Sequence, residues 1–249
     1  QDYGYFEMLA EFVEHEYVGP DDWSMRGMMA SLGIVKGKPF EPDERMREIL
    51  SAGAEVGIKM AKALRFGDHL PGTLYYEDRQ WNNVLNVFDV EYKEDTFLNV
   101  DARVGMFIIG YSTSAAMVMN MVGKGSKYPF AYRDVDGNYL SGSNAYRLHV
   151  PANVPAANFW SVTLYDAANA SGLDNGQPTP SIGSLDDLEY NSDGSVDLYF
   201  APQLPQGAPE SNWLRTVPGK GWFTLFRLYS PTEPFFDQSW KLGDFERIP

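Results

Sequence analysis

The period of the apolar residues changes once along this chain, near residue 128, and that change constrains the fold more than any other feature. Before it, apolar residues recur at helical spacing. Phe6, Leu9, Ala10, Val13 and Tyr17 mark one face of a first helix, which Gly19-Pro20 ends. Asp21 or Asp22 is placed to cap a second helix, Trp23 to Leu32, stopped by Gly33. A third helix opens with Pro42, Asp43 and Glu44, residues suited to a first turn and to the positive end of the helix dipole. Its predicted stripe is Met46, Ile49, Leu50, Gly53, Gly57, Met60, Ala61 and Leu64, with Gly67 as the stop.

After residue 128 the period is two. Tyr146, Leu148 and Val150 alternate with Arg147 and His149; Trp160, Val162 and Leu164 with Ser161, Thr163 and Tyr165. Val196, Leu198 and Phe200 form a third run, and Phe223, Leu225, Arg227 and Tyr229 alternate with Trp222, Thr224, Phe226 and Leu228. Asp136-Gly137 and Asp193-Gly194 are turn signals. Between the two regimes, Leu70 to Glu94 keeps no single period, although Tyr75, Tyr76, Trp81 and Phe88 call for burial. Asp95 to Met121 is predicted to be one buried helix. The stretch from Ala167 to Tyr190 is long for a connection, and such loops are functional or disordered. The expected fold class is α+β: a helical segment over residues 1–125, then an antiparallel β-sandwich of jelly-roll type over 126–249.

Charge and composition narrow the function. A formal net charge of −14 repels nucleic-acid phosphates and anionic lipid, so neither is expected as a partner. With no cysteine there is no disulfide, thiolate chemistry, cysteine-held zinc or iron–sulfur cluster. No apolar run approaches the ~20 residues of a membrane span. No signal peptide is visible, but an amphipathic pattern that begins at Tyr5 without an initiator Met reads as a processed or truncated start.

Several long strings carry a family resemblance. They are Asn158-Phe-Trp-Ser-Val-Thr-Leu-Tyr-Asp166, Asp193-Gly-Ser-Val-Asp-Leu-Tyr-Phe200, Asn212-Trp213, the run from Pro218 to Pro231, and Glu233-Pro-Phe-Phe-Asp237 with Ser239-Trp240. Together they resemble the family called domain of unknown function 1214. Gly33-Ile34 and Lys36-Gly-Lys-Pro-Phe40 resemble the helical segment that precedes that domain, and Asp101-Ala-Arg103 and Gly123-Lys-Gly-Ser126 through Tyr128 fit the same family. The resemblance implies a jelly-roll sandwich behind helices, mostly bacterial and often exported members, and an N-terminal β-domain (domain of unknown function 1254) as partner. A periplasmic or secreted location is the expectation, with the cytoplasm as the other reading. One departure stands out: where the family has Thr-Arg, this chain has Asn169-Ala170.

No motif assigns a reaction. His15, His69 and His149 are far apart, with no metal-binding spacing, so neither a metal nor another cofactor is expected. There is no P-loop, G-x-G-x-x-G or G-x-S-x-G. The candidate constellation is Arg147, His149, Tyr165, Asp166, Arg227 and Tyr229, polar members of three strands that converge if those strands are neighbours. Such a cluster binds a carboxylate or sulfate, or polarises a carbonyl with a phenol or imidazole as acid/base. Structural ion pairs on a solvated face are the alternative. Arg227 is singled out because it interrupts an apolar strand and needs Asp166, another carboxylate or a ligand's anion as counterpart. Asn212, Trp213 and Trp240 are candidate substrate contacts, the indoles as sugar-stacking platforms or as packing; Trp160 and Trp222 are expected in the core. Three classes stay open. These are an enzyme on small polar or carbohydrate-like substrates, a non-catalytic ligand-binding module, and a scaffold whose apolar edge docks the N-terminal domain or a second copy.

Overall fold

A computed structural model describes residues 2–67, 70, 72–84, 90–110 and 113–249. Contacts divide the chain into two compact units, Gln1–Gly67 and Asp68–Pro249. The division falls at Gly67, so residues 68–125 share a unit with the strands.

The first unit is helical, as its period requires. It holds α1 (Gly4–His15), α2 (Trp23–Ser31) and α3 (Glu44–Phe66). The C-terminal stop of α2 is a Schellman turn. Gly33 adopts φ 87° and donates its N–H to Ala30, and Ile34 donates to Met29. Asp43 caps α3 by accepting from the Met46 N–H at 2.8 Å, which leaves Pro42 outside the helix rather than in its first turn. The buried face of α3 is Leu50, Ala54, Ala61 and Arg65. Ile49, Gly53, Gly57 and Met60 of the predicted stripe are exposed instead.

In the second unit the single helix predicted over Asp95–Met121 does not form. Val100–Phe107 is helical (α4), capped by Asn99, and Ala115–Val118 is a single turn (α5). Gly110 and the Ser-Thr-Ser run after it favour caps and turns over helix interior. Phe88 and His69 lie outside the described residues.

The strands are β1 (Asn82–Asn83), β2 (Ser126–Lys127), β3 (Pro129–Ala131), β4 (Ala145–Val150) and β5 (Ala156–Asp166). Then come β6 (Ser181–Gly183), β7 (Val196–Ala201), β8 (Trp213–Arg215), β9 (Trp222–Pro231) and β10 (Phe245–Ile248), with a short helix α6 (Glu233–Phe236) between the last two. One sheet runs β1-β3-β9-β5-β6, with β2 also paired to β9; the other runs β10-β4-β7-β8. Among the described residues all pairs are antiparallel except β7–β8, which is parallel. That pair departs from the all-antiparallel expectation, and among the described residues the strand order does not show the two-Greek-key winding of a jelly roll.

The sheets pack face to face through the alternating residues the sequence marked. Trp222 of the first sheet sits 5.8 Å from Tyr146 and 5.7 Å from Phe200 of the second, ring centroid to centroid. Phe226 stacks on Trp160 at 5.4 Å. Each such fully buried ring contributes roughly 1.5–3 kcal/mol of transfer free energy. The segment from Ala167 to Tyr190 is ordered. It supplies β6 and buries Leu173 and Ile182 in the core, and Asn175 fastens it by donating to the Arg215 carbonyl at 2.8 Å.

Candidate functional site

Period two tells which face of a strand a residue occupies, and the topology tells which sheet. The two together split the predicted constellation. Arg147 and His149 lie on β4, in the four-stranded sheet, while Tyr165, Arg227 and Tyr229 lie on β5 and β9 of the other. Because Leu148 and Phe226 both point into the shared core, the two polar sets stand on opposite outer surfaces. The six residues do not converge.

On the four-stranded sheet the charges are paired with one another. Arg147 donates to Glu246 at 2.6 Å, and that hydrogen bond raises its already high pKa. His149 Nδ1 is 2.9 Å from Asp197 Oδ1, its direct cross-strand neighbour. Both pairs are substantially exposed, the arrangement of a solvated structural face. Asp166, at the end of β5, points inward and is buried, pairing with Lys220 at 2.7 Å and capping the turn through the Ala168 N–H at 2.8 Å. It is therefore not the counterpart of Arg227. The turn it caps contains Asn169-Ala170, where Asn169 accepts from the Ser171 N–H at 2.9 Å and Ala170 takes φ 59°.

The three candidate contacts from the loop regions each hold a hydrogen bond within the chain. Asn212 is buried, accepts from the Glu189 N–H and donates to the Glu189 and Asp197 carbonyls, all within 3.0 Å. Trp213 donates to the Ala201 carbonyl under the guanidinium of Arg215. Trp240 is buried, packs near Phe226 and donates to the Ala152 carbonyl. Trp160 and Trp222 are in the core.

What does assemble is a cluster around Arg227 on the outer face of the six-stranded sheet. The pairings of β2 and β3 with β9 share one register (Ser126 opposite Tyr229, Phe130 opposite Leu225), so Tyr128 comes opposite Arg227. Ser161 is its partner on the other side. The guanidinium carbon lies 5.8 Å from the Tyr128 ring centroid and 5.9 Å from that of Tyr165. Arg227 donates through Nη2 to the Tyr165 hydroxyl, and its Nε is buried without a partner. Among the described residues no carboxylate pairs with it. Burial, reinforced by the neighbouring Tyr229 and Tyr128 phenols and opposed by Arg227, holds the Tyr165 pKa above the ordinary phenol value. It stays protonated at neutral pH, and having accepted from Arg227 it keeps its O–H to donate. The rings are braced: Tyr165 stacks on Phe223 at 5.1 Å and Tyr229 on Phe159 at 4.0 Å.

This is a half-buried cation without an anion among the described residues, set among three phenols. Such a group either carries an uncompensated desolvation cost or receives an anion from outside the chain. Tyr128 escaped sequence reasoning because only the pairing of β2–β3 with β9 brings it to Arg227. Among the described residues no group of His, Asp and Glu is arranged to hold a metal ion, and no helix is long and apolar enough to cross a membrane.

Comparison with known proteins gives a domain family over part of the chain. Residues 125–233 match the model of a protein family of unknown function, DUF1214. No curated protein matches the sequence. Among solved structures, the VPA0106 protein from Vibrio parahaemolyticus is similar at 17% identity with a TM-score of 0.46, over 98% of this chain and 56% of that one. A putative uncharacterized protein from Burkholderia cenocepacia is similar at 14% identity with a TM-score of 0.37, over 92% of this chain and 49% of that one. The chain spans about half the length of these structures.

Proposed function

We propose, for a chain that carries a DUF1214 domain at residues 125–233, that this domain is a non-catalytic module binding a small carboxylate-bearing ligand, such as an acidic sugar, at Arg227. The observation that carries this reading is the guanidinium itself: half-buried, flanked by two phenol rings, and without a carboxylate among the described residues. A carboxylate arriving there gains charge-assisted hydrogen bonds from Arg227 and a donor from Tyr165. The rings of Tyr128 and Tyr229 offer flat surface to the ligand body. The enzyme reading has less support, because it required His149 and Asp166 beside Arg227. The partner proposals, an N-terminal β-domain or a second copy, draw support from exposed apolar side chains on the first unit, among them Phe12, Trp23, Met28 and Met60. Export of the protein likewise belongs to this proposal and rests on the family resemblance alone.

Calorimetric titration with glucuronate and with glucose tests the binding reading. The two differ in a single carboxylate, so glucuronate binding with no glucose binding is expected. Arg227→Lys keeps the charge and loses the planar fork, so it weakens glucuronate about tenfold or more. Equal binding of the two sugars, or unchanged affinity in Arg227→Lys, would refute the proposal.

A further inference from the structure

Beside the β1 and β2 edge of the six-stranded sheet lies a cavity of about 660 Å³, within the size range of sites for small organic ligands. Its walls are mixed: Tyr75, Phe97, Met117, Phe235 and Phe236 line one part, and Asn83, Asn99, Asn120 and Ser126 line another. Lys127 also lines it and brings a positive charge. Its stem is half-buried, and its ammonium donates to the Met117 carbonyl at 3.3 Å. It has no ion pair with a carboxylate among the described residues. Desolvation lowers its pKa, in keeping with a charge whose surroundings under-compensate it. Glu94 lines the cavity too, but it is engaged by Asn99, which donates to it at 3.2 Å.

We propose that this cavity is a second ligand site, taking a monocarboxylate with an apolar body: the carboxylate meets Lys127, and the hydrocarbon lies against Tyr75, Met117 and the two phenylalanines. Three observations define that class. The aromatic and thioether part of the wall favours hydrocarbon or aryl surface. The unpaired ammonium favours an anion. Glu94 disfavours a second anionic group on the same ligand. The carboxylate acceptor is a different cation from Arg227, although Tyr128, which flanks that guanidinium, also lines this cavity.

Octanoate, with octan-1-ol as its uncharged counterpart, tests this by isothermal titration. Octanoate is expected to saturate wild-type protein at one equivalent, and octanol to bind about tenfold more weakly, the factor that one charge-assisted hydrogen bond supplies. Lys127→Met should lower octanoate affinity by about the same factor. Met117→Trp sets a bulkier ring against the ligand body without replacing the charge and should change octanoate affinity several-fold, while Arg227→Lys should leave affinity within about twofold. Circular dichroism and thermal melting establish that each variant is folded. The proposal is overturned if octanoate does not saturate wild type or if Lys127→Met binds it as well as wild type. It is also overturned if Met117→Trp leaves octanoate affinity unchanged, or if Arg227→Lys loses binding, which would assign the ligand to the guanidinium instead.

Discussion

Replacing Arg227 with Met should leave the stability of the fold nearly unchanged, although the residue is half-buried and hydrogen-bonded. The substitution removes a hydrogen bond from a charged donor, worth about 1.5–3 kcal/mol. It also removes two ring contacts of about 0.5–1 kcal/mol each. In return it relieves the buried, unpartnered Nε, which costs about 1–3 kcal/mol. It further relieves the partial desolvation of a guanidinium that lacks a carboxylate, a cost of order 2 kcal/mol. Met follows the aliphatic stem and opens little cavity. The two sides cancel to within about 1 kcal/mol, or 2–4 °C in melting temperature for a unit of this size. Urea unfolding followed by tryptophan fluorescence reads this directly, since Trp81, Trp160 and Trp222 all lie in the core. A constant denaturant slope excludes a changed end state. Saturating glucuronate should then stabilise wild type by about 2.7 kcal/mol at a hundred times its Kd and leave Arg227→Met unmoved. A loss above about 3 kcal/mol in the unliganded variant would refute the reasoning, because only a guanidinium that holds the fold together behaves so.

Three further outcomes follow from particular contacts. Burial pushes the Tyr76 phenol up to about 12 and Tyr75 up further, so their stabilising share is complete below the ordinary phenol value of about 10 and is lost as pH rises through 12. Stability should therefore fall over that alkaline window, and Tyr76→Phe should flatten the fall, read by urea unfolding with tyrosinate absorbance as the protonation record. Asn212→Ala strands the Glu189 and Asp197 groups that the amide satisfies and should cost about 2–3 kcal/mol in chemical denaturation, while glucuronate affinity of the folded fraction stays at the wild-type value. Gly183→Ala would set a Cβ 2.2 Å from the Trp160 carbonyl oxygen. Because backbone cannot yield as a side-chain tip can, a loss of about 3 kcal/mol and a lower thermal midpoint are expected.

The sequence displayed face better than neighbourhood. Alternation identified the buried members of β4, β5, β7 and β9, and singled out Arg227 as the charge that interrupts an apolar strand. It said nothing of which strands share a sheet, since β4 and β9 carry the same period and only hydrogen-bond partners assign them to different sheets. His149 and Arg227 were grouped for that reason. Tyr128 and Lys127 were overlooked for the complementary reason: β2 is too short to show a period, and its place beside β9 is set by the partner's register. In α3 apolar residues occupy two faces, so spacing alone did not choose between the Ile49–Met60 face and the Leu50–Ala61 face. The helix foreseen over Asp95–Met121 failed where Gly110 and three consecutive hydroxyl residues outweighed the apolar content before them.

The pairing of β5 with β9 carries a kinetic consequence. Thr224 reaches back 61 residues to the Thr163 carbonyl, and Trp81 reaches forward 162 residues to the Gly243 carbonyl. Contacts of such separation close large loops before they return any stabilisation, which sets the slow regime of β-rich folding. Phe245, wedged between Trp222 and Phe200, completes the core only after nearly the whole unit has been synthesised. At ribosomal speeds of about 5–20 residues per second, the stretch from Val162 to Phe245 takes roughly 4–17 seconds to emerge. Until Phe245 arrives the core between the two sheets is incomplete, and the apolar surface it will cover stays accessible to non-native association.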